Sequence, residues 1–216
     1  LANHRGDKMI GPEGIGSQAG LVTYLNENPA ALFQIDEFAD FMEATSDSKK
    51  QPHKAEIITK LLTLYTSSNT LWISDALADS KKVKRIDQPH AVLYGTCTPE
   101  NFWNAINSRS LNGGFIGRLI SLEAGYVKLS RKRIANDVPQ ELIERVRWWL
   151  DFNEPGQEGG NLAATRPPVT IPHTTEARVR IESQAEEVGD RLVADNATGQ
   201  AIWSRSTERV AKLALL

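Results

Sequence analysis

The chain has 216 residues, of which 40% are hydrophobic and 24% charged, and its mean hydropathy of −0.37 excludes an intrinsically disordered polypeptide. A formal net charge of −2 and a pI near 6.1 exclude attraction to nucleic acid by the molecule as a whole, so any DNA contact must come from local basic clusters. A single cysteine, Cys97, excludes an intrachain disulfide framework, and the lack of a signal peptide or of a long apolar run predicts a cytoplasmic protein without a membrane partner.

Short strands and helices alternate in the first half of the chain. The strands are runs that are apolar on both faces, which is typical of buried parallel strands. In chain order we predict a Gly-rich turn and a helix within 11–28, strand Ala30–Ile35, helices Phe38–Ala44 and Lys54–Tyr65, strands Leu71–Ile73, Val83–Ile86 and Ala91–Tyr94, a helix from Pro99 to Asn107, and strand Phe115–Leu122. This alternation predicts an α/β fold with a mostly parallel sheet and flanking helices.

The character of the sequence changes after Gly125. A helix that starts at Pro139 and runs to Leu150 is predicted, and residues 153–168 are rich in Gly and Pro, as in a linker or surface loop. Two further helices are predicted at about 174–195 and 203–215. We therefore divide the chain into an α/β core, residues 1–125, and a helical C-terminal region, residues 126–216.

The strongest chemical signal is the adjacent pair Asp36 and Glu37, which directly follows the predicted strand Ala30–Ile35. Open α/β sheets bind their ligands at the carboxyl ends of their strands. In a nucleotide hydrolase the first carboxylate of such a pair holds Mg²⁺, usually through water, and the second aligns and deprotonates the attacking water. The alternative is that Asp36 only caps the helix that follows it.

The order of short motifs from Ile10 to about Gly125 resembles the helicase-type ATPase domain of phage and prophage primase-helicases. That group is related to the RecA-like and AAA+ P-loop ATPases. The motifs that carry the resemblance are 11–17 (GPEGIGS), 20–21 (GL), 35–38 (IDEF), 94–99 (YGTCTP) and 114–119 (GFIGRL), with 203–209 (WSRSTER) beyond Gly125. The resemblance implies an incomplete P-loop NTPase sheet that uses ATP and Mg²⁺.

The resemblance also implies roles for individual residues. Asp36 would hold Mg²⁺ and Glu37 would act as the base, as in a Walker B motif. Thr96 or Thr98 would be the polar sensor that touches the γ-phosphate or the water; the alternative is a hydroxyl that only satisfies the turn before Pro99.

Three arginines are assigned in the same way. Arg118 resembles an arginine finger that acts on a nucleotide held by a neighbouring subunit of a homo-oligomeric ring, a hexamer in this family. Arg205 or Arg209 would be a second sensor that binds the nucleotide. The alternatives are an ordinary salt-bridging arginine at position 118 and a solvated helix face at 205 and 209.

The phosphate-binding loop itself is not found. The spacing of 11–17 imitates such a loop, but Ser17 occupies the position of its lysine, and no apolar strand precedes it. We interpret the segment as a turn in which Ser17 caps the following helix. The chain is therefore expected to be a fragment that begins downstream of a Walker A motif and is inactive by itself.

A basic segment lies between the predicted strands Leu71–Ile73 and Val83–Ile86. In related ring helicases a hairpin at this place in the fold contacts single-stranded DNA, so the resemblance implies that role for Lys81, Lys82, Lys84 and Arg85. The alternative is a solubilising surface.

The sequence thus predicts part of an ATP-dependent DNA helicase or translocase that acts in the replication of a phage, prophage or plasmid. Two alternatives stay open. One is a catalytically silent P-loop-like module that binds DNA or a partner protein; the other is a magnesium-dependent nuclease that uses Asp36 and Glu37.

Overall fold

The computed structural model describes residues 9–46, 51–76, 82–107, 110–111, 113–125, 137–151 and 169–214. The predicted loop at 153–168 lies outside this part of the chain. The elements of the core are helix α1 (Gln18–Glu27), strand β1 (Ala30–Ile35), helices α2 (Phe38–Ser46) and α3 (Pro52–Leu64), strands β2 (Leu71–Ile73), β3 (Arg85–Asp87) and β4 (His90–Gly95), and helix α4 (Pro99–Ala105). A 3-10 turn follows at Ile116–Arg118, and then come helices α5 (Gln140–Asp151), α6 (Thr175–Ala194), α7 (Ala197–Trp203) and α8 (Ser206–Leu213).

A parallel pair of strands organises the core. β1 and β4 lie side by side, with Ala30 opposite His90 and Ile35 opposite Gly95. A parallel bridge between Ile10 and Leu32 brings a third stretch of chain to the other side of β1. β1 therefore lies between β4 and the stretch at Ile10, and this small parallel sheet with flanking helices was predicted from the sequence.

The residues of β1 explain why it is central. Ala31, Phe33 and Ile35 alternate along the strand and are all buried. The ring of Phe33 meets the ring of Tyr24, on α1, edge to face with centroids 5.8 Å apart. Full burial of a side chain such as Phe33 stabilises the fold by roughly 1.5–3 kcal/mol. Packing of these side chains therefore holds β1 in place up to its last residue, Ile35, which directly precedes Asp36.

Capping residues set the starts of several helices. Ser17 accepts a hydrogen bond from the Gly20 N–H at 3.1 Å, which confirms the predicted cap of α1. Thr98 caps α4, Thr174 caps α6 and Asn196 caps α7. Each side-chain oxygen satisfies an amide that the helix itself leaves unpaired.

The second pair of strands is a hairpin. β2 and β3 run antiparallel, with Trp72 opposite Ile86, and both of these side chains are buried. The strand predicted at Val83–Ile86 corresponds to β3, which begins two residues later, at Arg85, and ends one residue later, at Asp87. The basic segment does connect two paired strands, as predicted, although 77–81 lie outside the described residues.

Two predicted elements are wrong. Residues 115–122 were predicted as a strand, but the chain turns there, with the Arg118 N–H bonded to the Phe115 carbonyl at 3.0 Å, and it continues to Gly125 without regular structure. The stretch is apolar, but among the described residues no strand pairs with it. The helix predicted at 203–215 is wrong at its start: α8 begins at Ser206, and the preceding helix, α7 (Ala197–Trp203), was not predicted.

The last helices contact the core at the 3-10 turn. A Cβ added to Gly117 would lie 2.8 Å from the Ala201 carbonyl oxygen, so glycine allows α7 to approach closely. A guanidinium nitrogen (Nη1) of Arg209, on α8, donates to the Leu119 carbonyl at 3.1 Å. Within the described part of the chain, no helix has the length and apolarity that crossing a membrane requires.

Candidate functional site

Asp36 and Thr96 meet at one edge of the sheet because each directly follows a strand of the parallel pair. The Thr96 hydroxyl donates a hydrogen bond to Oδ1 of Asp36 at 2.7 Å. Since Ile35 pairs with Gly95, the next residue of each strand reaches the same edge. We call Asp36, Glu37 and Thr96 together the acidic rim.

Backbone hydrogen bonds hold Thr96 on both sides of the acidic pair. Its N–H donates to the Ile35 carbonyl at 3.1 Å, and its carbonyl accepts from the Phe38 N–H at 2.9 Å. The strand end that carries the carboxylates and the strand end that carries the hydroxyl are therefore fastened together by three hydrogen bonds, including the one between the side chains.

Glu37 has a backbone φ of +50°, which is unusual for a residue with a side chain. A conformation of this kind costs of the order of 1–3 kcal/mol and is found most often at functional sites. α2 begins at the next residue, Phe38, and the N–H groups of Asp40 and Phe41 bond to the Glu37 carbonyl. The chain therefore turns sharply at Glu37 before it enters the helix.

Asp36 is not an ordinary helix cap. Such a cap accepts a hydrogen bond from an amide two or three positions further along, whereas Oδ1 of Asp36 accepts from the next residue, the Glu37 N–H, at 3.0 Å. The Phe38 amide is already bonded to Thr96. The alternative of a simple capping role does not match this geometry.

Hydrogen bonding favours the charged form of Asp36. The Thr96 hydroxyl, and then the Glu37 backbone N–H, lower the pKa of Asp36, and these effects outweigh a small opposing effect of desolvation. Both donors use Oδ1, and no donor among the described residues reaches Oδ2. The site thus offers a charged oxygen with an open position, which is what Mg²⁺ or one of its waters requires.

The geometry predicts a larger pKa for Asp36 when the hydroxyl is removed. Thr96→Val has nearly the same shape and no hydroxyl, so the pKa of Asp36 should rise toward its ordinary value. Asp36 would then be protonated at a higher pH than in the wild-type chain. An NMR titration of the Asp36 carboxyl carbon measures this shift. Thr98→Val is the matched control, and an equal rise in both variants would contradict the assignment.

Thr98 has a different environment from Thr96. Its hydroxyl accepts from the Asn101 N–H at 3.4 Å at the start of α4. Of the two threonines proposed as sensors, the structure brings Thr96 to Asp36 and gives Thr98 the role of a helix cap.

Arg118 lies against its own chain. Nη1 donates to the Gly114 carbonyl at 2.8 Å, and the guanidinium lies over the ring of Tyr65 at 5.2 Å. Burial, and then the nearby charge of Arg205, lowers the pKa of Arg118. Action on a neighbouring subunit would require this side chain to leave the Gly114 carbonyl.

Arg205 and Arg209 lie with Arg118 and not with Asp36. Arg205 pairs with Glu208 at 3.4 Å, and Arg209 bonds to the Leu119 carbonyl. Neither arginine makes a hydrogen bond or an ion pair with Asp36, Glu37 or Thr96 in the described structure, and a sensor role for them stays a prediction.

The hairpin of β2 and β3, which we call the basic hairpin, exposes two of its basic residues. Lys82 and Arg85 are exposed, Lys84 is half-buried, and Lys81 lies outside the described residues. The Lys84 backbone is held by Ser74, whose hydroxyl accepts from the Lys84 N–H at 3.0 Å. Lys82, Lys84 and Arg85 share one hairpin, while contact with DNA stays a prediction.

A metal site made of protein groups alone is not found in the described part of the chain, where no group of three or more His, Cys, Asp or Glu side chains could hold a metal ion. Mg²⁺ at nucleotide sites usually takes one or two carboxylates, with waters and substrate phosphates completing its shell. Asp36 fits that pattern, in which a single protein carboxylate is enough.

Sequence reasoning assigned no role to Gly95 and did not find Tyr65. A Cβ at Gly95 would lie 2.4 Å from Cγ of Phe38, so the close approach of α2 to β4 requires glycine. Because Gly95 directly precedes the proposed sensor threonine, its position could have indicated a close approach at the site. No pattern in the sequence indicated a role for Tyr65.

Comparison with protein-family models, with curated proteins and with solved structures finds no match to this chain.

Proposed function

We propose that this chain supplies the metal-and-water half of an ATP-hydrolysis site in a P-loop-type DNA helicase or translocase. One observation carries the proposal: two consecutive carboxylates follow one strand of a parallel pair, and the hydroxyl that follows the other strand donates to the first of them at 2.7 Å. A phosphate-binding loop outside this chain would complete the site.

The proposed chemistry assigns one step to each residue of the acidic rim. Bound Mg²⁺ would neutralise charge on the β- and γ-phosphates, and Asp36 would hold it through its open oxygen. Glu37 would take a proton from the water whose oxygen attacks the γ-phosphorus, while the bond to the ADP oxygen breaks. The Thr96 hydroxyl would orient the Asp36 carboxylate for this task through its hydrogen bond to Oδ1.

The DNA part of the proposal depends on local charge. The chain has a net charge of −2, so attraction to a phosphate backbone must be concentrated in a segment such as the basic hairpin. We propose that single-stranded DNA passes this hairpin in a homo-oligomeric ring, a hexamer, where Arg118 would act on the neighbouring subunit's nucleotide. The process served would be replication of a phage, prophage or plasmid.

The test is steady-state ATP hydrolysis by the full-length protein, with and without single-stranded DNA. Hydrolysis that DNA stimulates and that Glu37→Gln abolishes supports a motor. Hydrolysis that DNA leaves unchanged would contradict the translocase, and undetectable hydrolysis would contradict the enzyme.

One observation favours the second candidate, a silent module that binds DNA or a partner protein. Ser17 occupies the place of the P-loop lysine and is fully used as the cap of α1. A chain that keeps the sheet edge but has lost nucleotide binding would still be able to bind DNA. DNA binding that is unaffected by Asp36→Asn, together with no ATPase activity, would support this alternative.

Replacing three cations of the hairpin should weaken DNA binding. For Lys82→Gln, Lys84→Gln and Arg85→Gln combined, the slope of log K against log salt should fall by about 2, because each lost phosphate contact on a single strand contributes about 0.7. Fluorescence anisotropy with an oligonucleotide at several salt concentrations measures it. The control removes Arg145, Arg178 and Arg180, three exposed cations of the helical region. Equal slopes for the two triple variants would refute the hairpin as the DNA contact.

A further inference from the structure

A second charged cluster surrounds Tyr65, where the last helix contacts the core. Its cations come from two parts of the chain: Arg118 belongs to the 3-10 turn of the core, and the others belong to the C-terminal helices or their junction. We call this group the Tyr65 basic cluster: Arg118, Arg205, Arg209 and Lys212.

The ring and carbonyl of Tyr65 join the two parts. Lys212 Nζ lies 3.2 Å from the ring centroid and donates to the Tyr65 carbonyl at 3.1 Å. The Arg118 guanidinium lies 5.2 Å from the same centroid. Both cations are therefore attracted to one aromatic ring, which brings like charges close to each other.

The negative charge near these cations does not balance them. Glu208 is the carboxylate that meets the cluster among the described residues, pairing with Arg205 at 3.4 Å and with Lys212 at 3.3 Å. The other acceptors are backbone carbonyls, which carry no net charge. Four cations and one carboxylate leave an excess of three positive charges.

One donor of the cluster has no acceptor. Nε of Arg118 is buried and has no hydrogen-bond partner in the described structure. An unpaired buried donor costs about 1–3 kcal/mol, and more when it is charged. Burial and the nearby Arg205 also lower the pKa of Arg118. An anion bound at the accessible guanidinium and ammonium groups of the cluster would relieve the repulsion, and a small movement of Arg118 would allow its Nε to pair as well.

The cluster is separate from the acidic rim. Tyr65 follows the end of α3. Part of the His90 surface is exposed, but the protein around its ring, and then the charge of Lys212, lower the pKa of His90. Lys212 therefore lies close enough to His90 for their charges to interact. His90 begins β4 and Thr96 follows its end. Six residues of strand span about 20 Å, so the cluster lies toward the opposite end of the sheet.

We propose that the Tyr65 basic cluster binds a phosphate group, either free or in a nucleic-acid backbone, at a site distinct from Asp36. Three excess charges and three guanidinium groups suit a phosphate better than a carboxylate, because guanidinium forks bind pairs of phosphate oxygens. Binding would join α8 to the core, since both contribute cations. The site does not depend on the proposed ATPase function.

The test is thermal unfolding and NMR of the 216-residue chain with inorganic phosphate, at constant ionic strength set with chloride. Phosphate should raise the melting temperature saturably and shift the Arg118 Nε resonance. Because phosphate stabilises most proteins weakly by exclusion from their surface, variants are needed. Arg118→Gln and Arg205→Gln, the latter at a side chain that is 40% exposed, should each weaken phosphate binding about tenfold or more, while Arg178→Gln, an exposed cation on α6, should not.

A second arm identifies the source of the phosphate. A single-stranded oligonucleotide that competes with phosphate and shifts the same Arg118 resonance assigns the site to a nucleic-acid backbone. An oligonucleotide that leaves the resonance unchanged, while phosphate still shifts it, assigns the site to free phosphate. No resonance shift with either ligand, or an equal thermal effect in all three variants, would overturn the proposal.

Discussion

Glu37→Gln in the full-length protein is expected to reduce ATP hydrolysis about 10²–10⁴-fold, the usual contribution of a general base. Glutamine keeps the length and shape of the side chain but cannot accept the proton of the attacking water. Nucleotide affinity should change little, because the proton is transferred only in the reaction itself. Single-turnover hydrolysis and equilibrium binding of ATP, measured on the same preparation, separate the two effects.

Glu43→Gln is the matched control for this experiment. Glu43 is also exposed and lies further along the same segment, on α2, so it tests the same chemical change away from the acidic rim. It should leave hydrolysis within about twofold of wild type. If both substitutions reduced hydrolysis equally, or if Glu37→Gln had no effect, Glu37 would not be the base. Loss of DNA cleavage instead of ATP hydrolysis would indicate the nuclease alternative.

The parallel sheet and the acidic pair could be predicted because they depend on local patterns. The run Ala30–Ile35 is short, apolar and followed by charge, so its limits were predicted without error. His90–Gly95 extends the prediction for β4 by one residue at each end. That the two strands are parallel and end at one edge follows from the helices between them. The meeting of Asp36 with the residue after β4 was therefore within reach of the sequence.

The sequence could not decide whether Thr96 or Thr98 contacts Asp36. Both lie within the three residues between β4 and Pro99, and each could serve as a cap or a sensor. The pairing of Ile35 with Gly95 decides it, because this register places position 96 opposite Asp36. Register is a property of two strands together, and one strand's sequence does not contain it.

The Tyr65 basic cluster was also beyond sequence reasoning. The hydrogen bond between Lys212 and Tyr65 joins residues 147 positions apart, and no local pattern predicts such a contact. Arg118 was singled out through a resemblance, and the stretch around it was predicted as a strand. The turn at Ile116–Arg118 directs the guanidinium toward Tyr65 instead. Non-local packing, more than local propensity, determines what this arginine contacts.

Gly95→Ala is expected to destabilise the fold by about 1–3 kcal/mol, the usual effect of adding volume to a packed site. The added Cβ would lie 2.4 Å from Cγ of Phe38, a residue that is 6% exposed and belongs to the hydrophobic core. Urea unfolding of the 216-residue chain measures the change. Gly189→Ala, in the interior of α6 with open space at its Cβ, is the control and should stabilise by roughly 0.5–1 kcal/mol.

The same substitution tests whether the acidic rim is rigid. Phe38 follows Glu37 directly and its N–H bonds to Thr96, so displacing its ring should lengthen the hydrogen bond from Thr96 to Asp36. The pKa of Asp36 should then rise toward its ordinary value, in the same direction as in Thr96→Val. In a double-mutant cycle with Phe38→Ala the added methyl group meets no ring, so the two energetic effects should not add. Additive effects, or an unchanged Asp36 pKa in Gly95→Ala, would mean that packing of Phe38 on Gly95 does not hold the carboxylate in place.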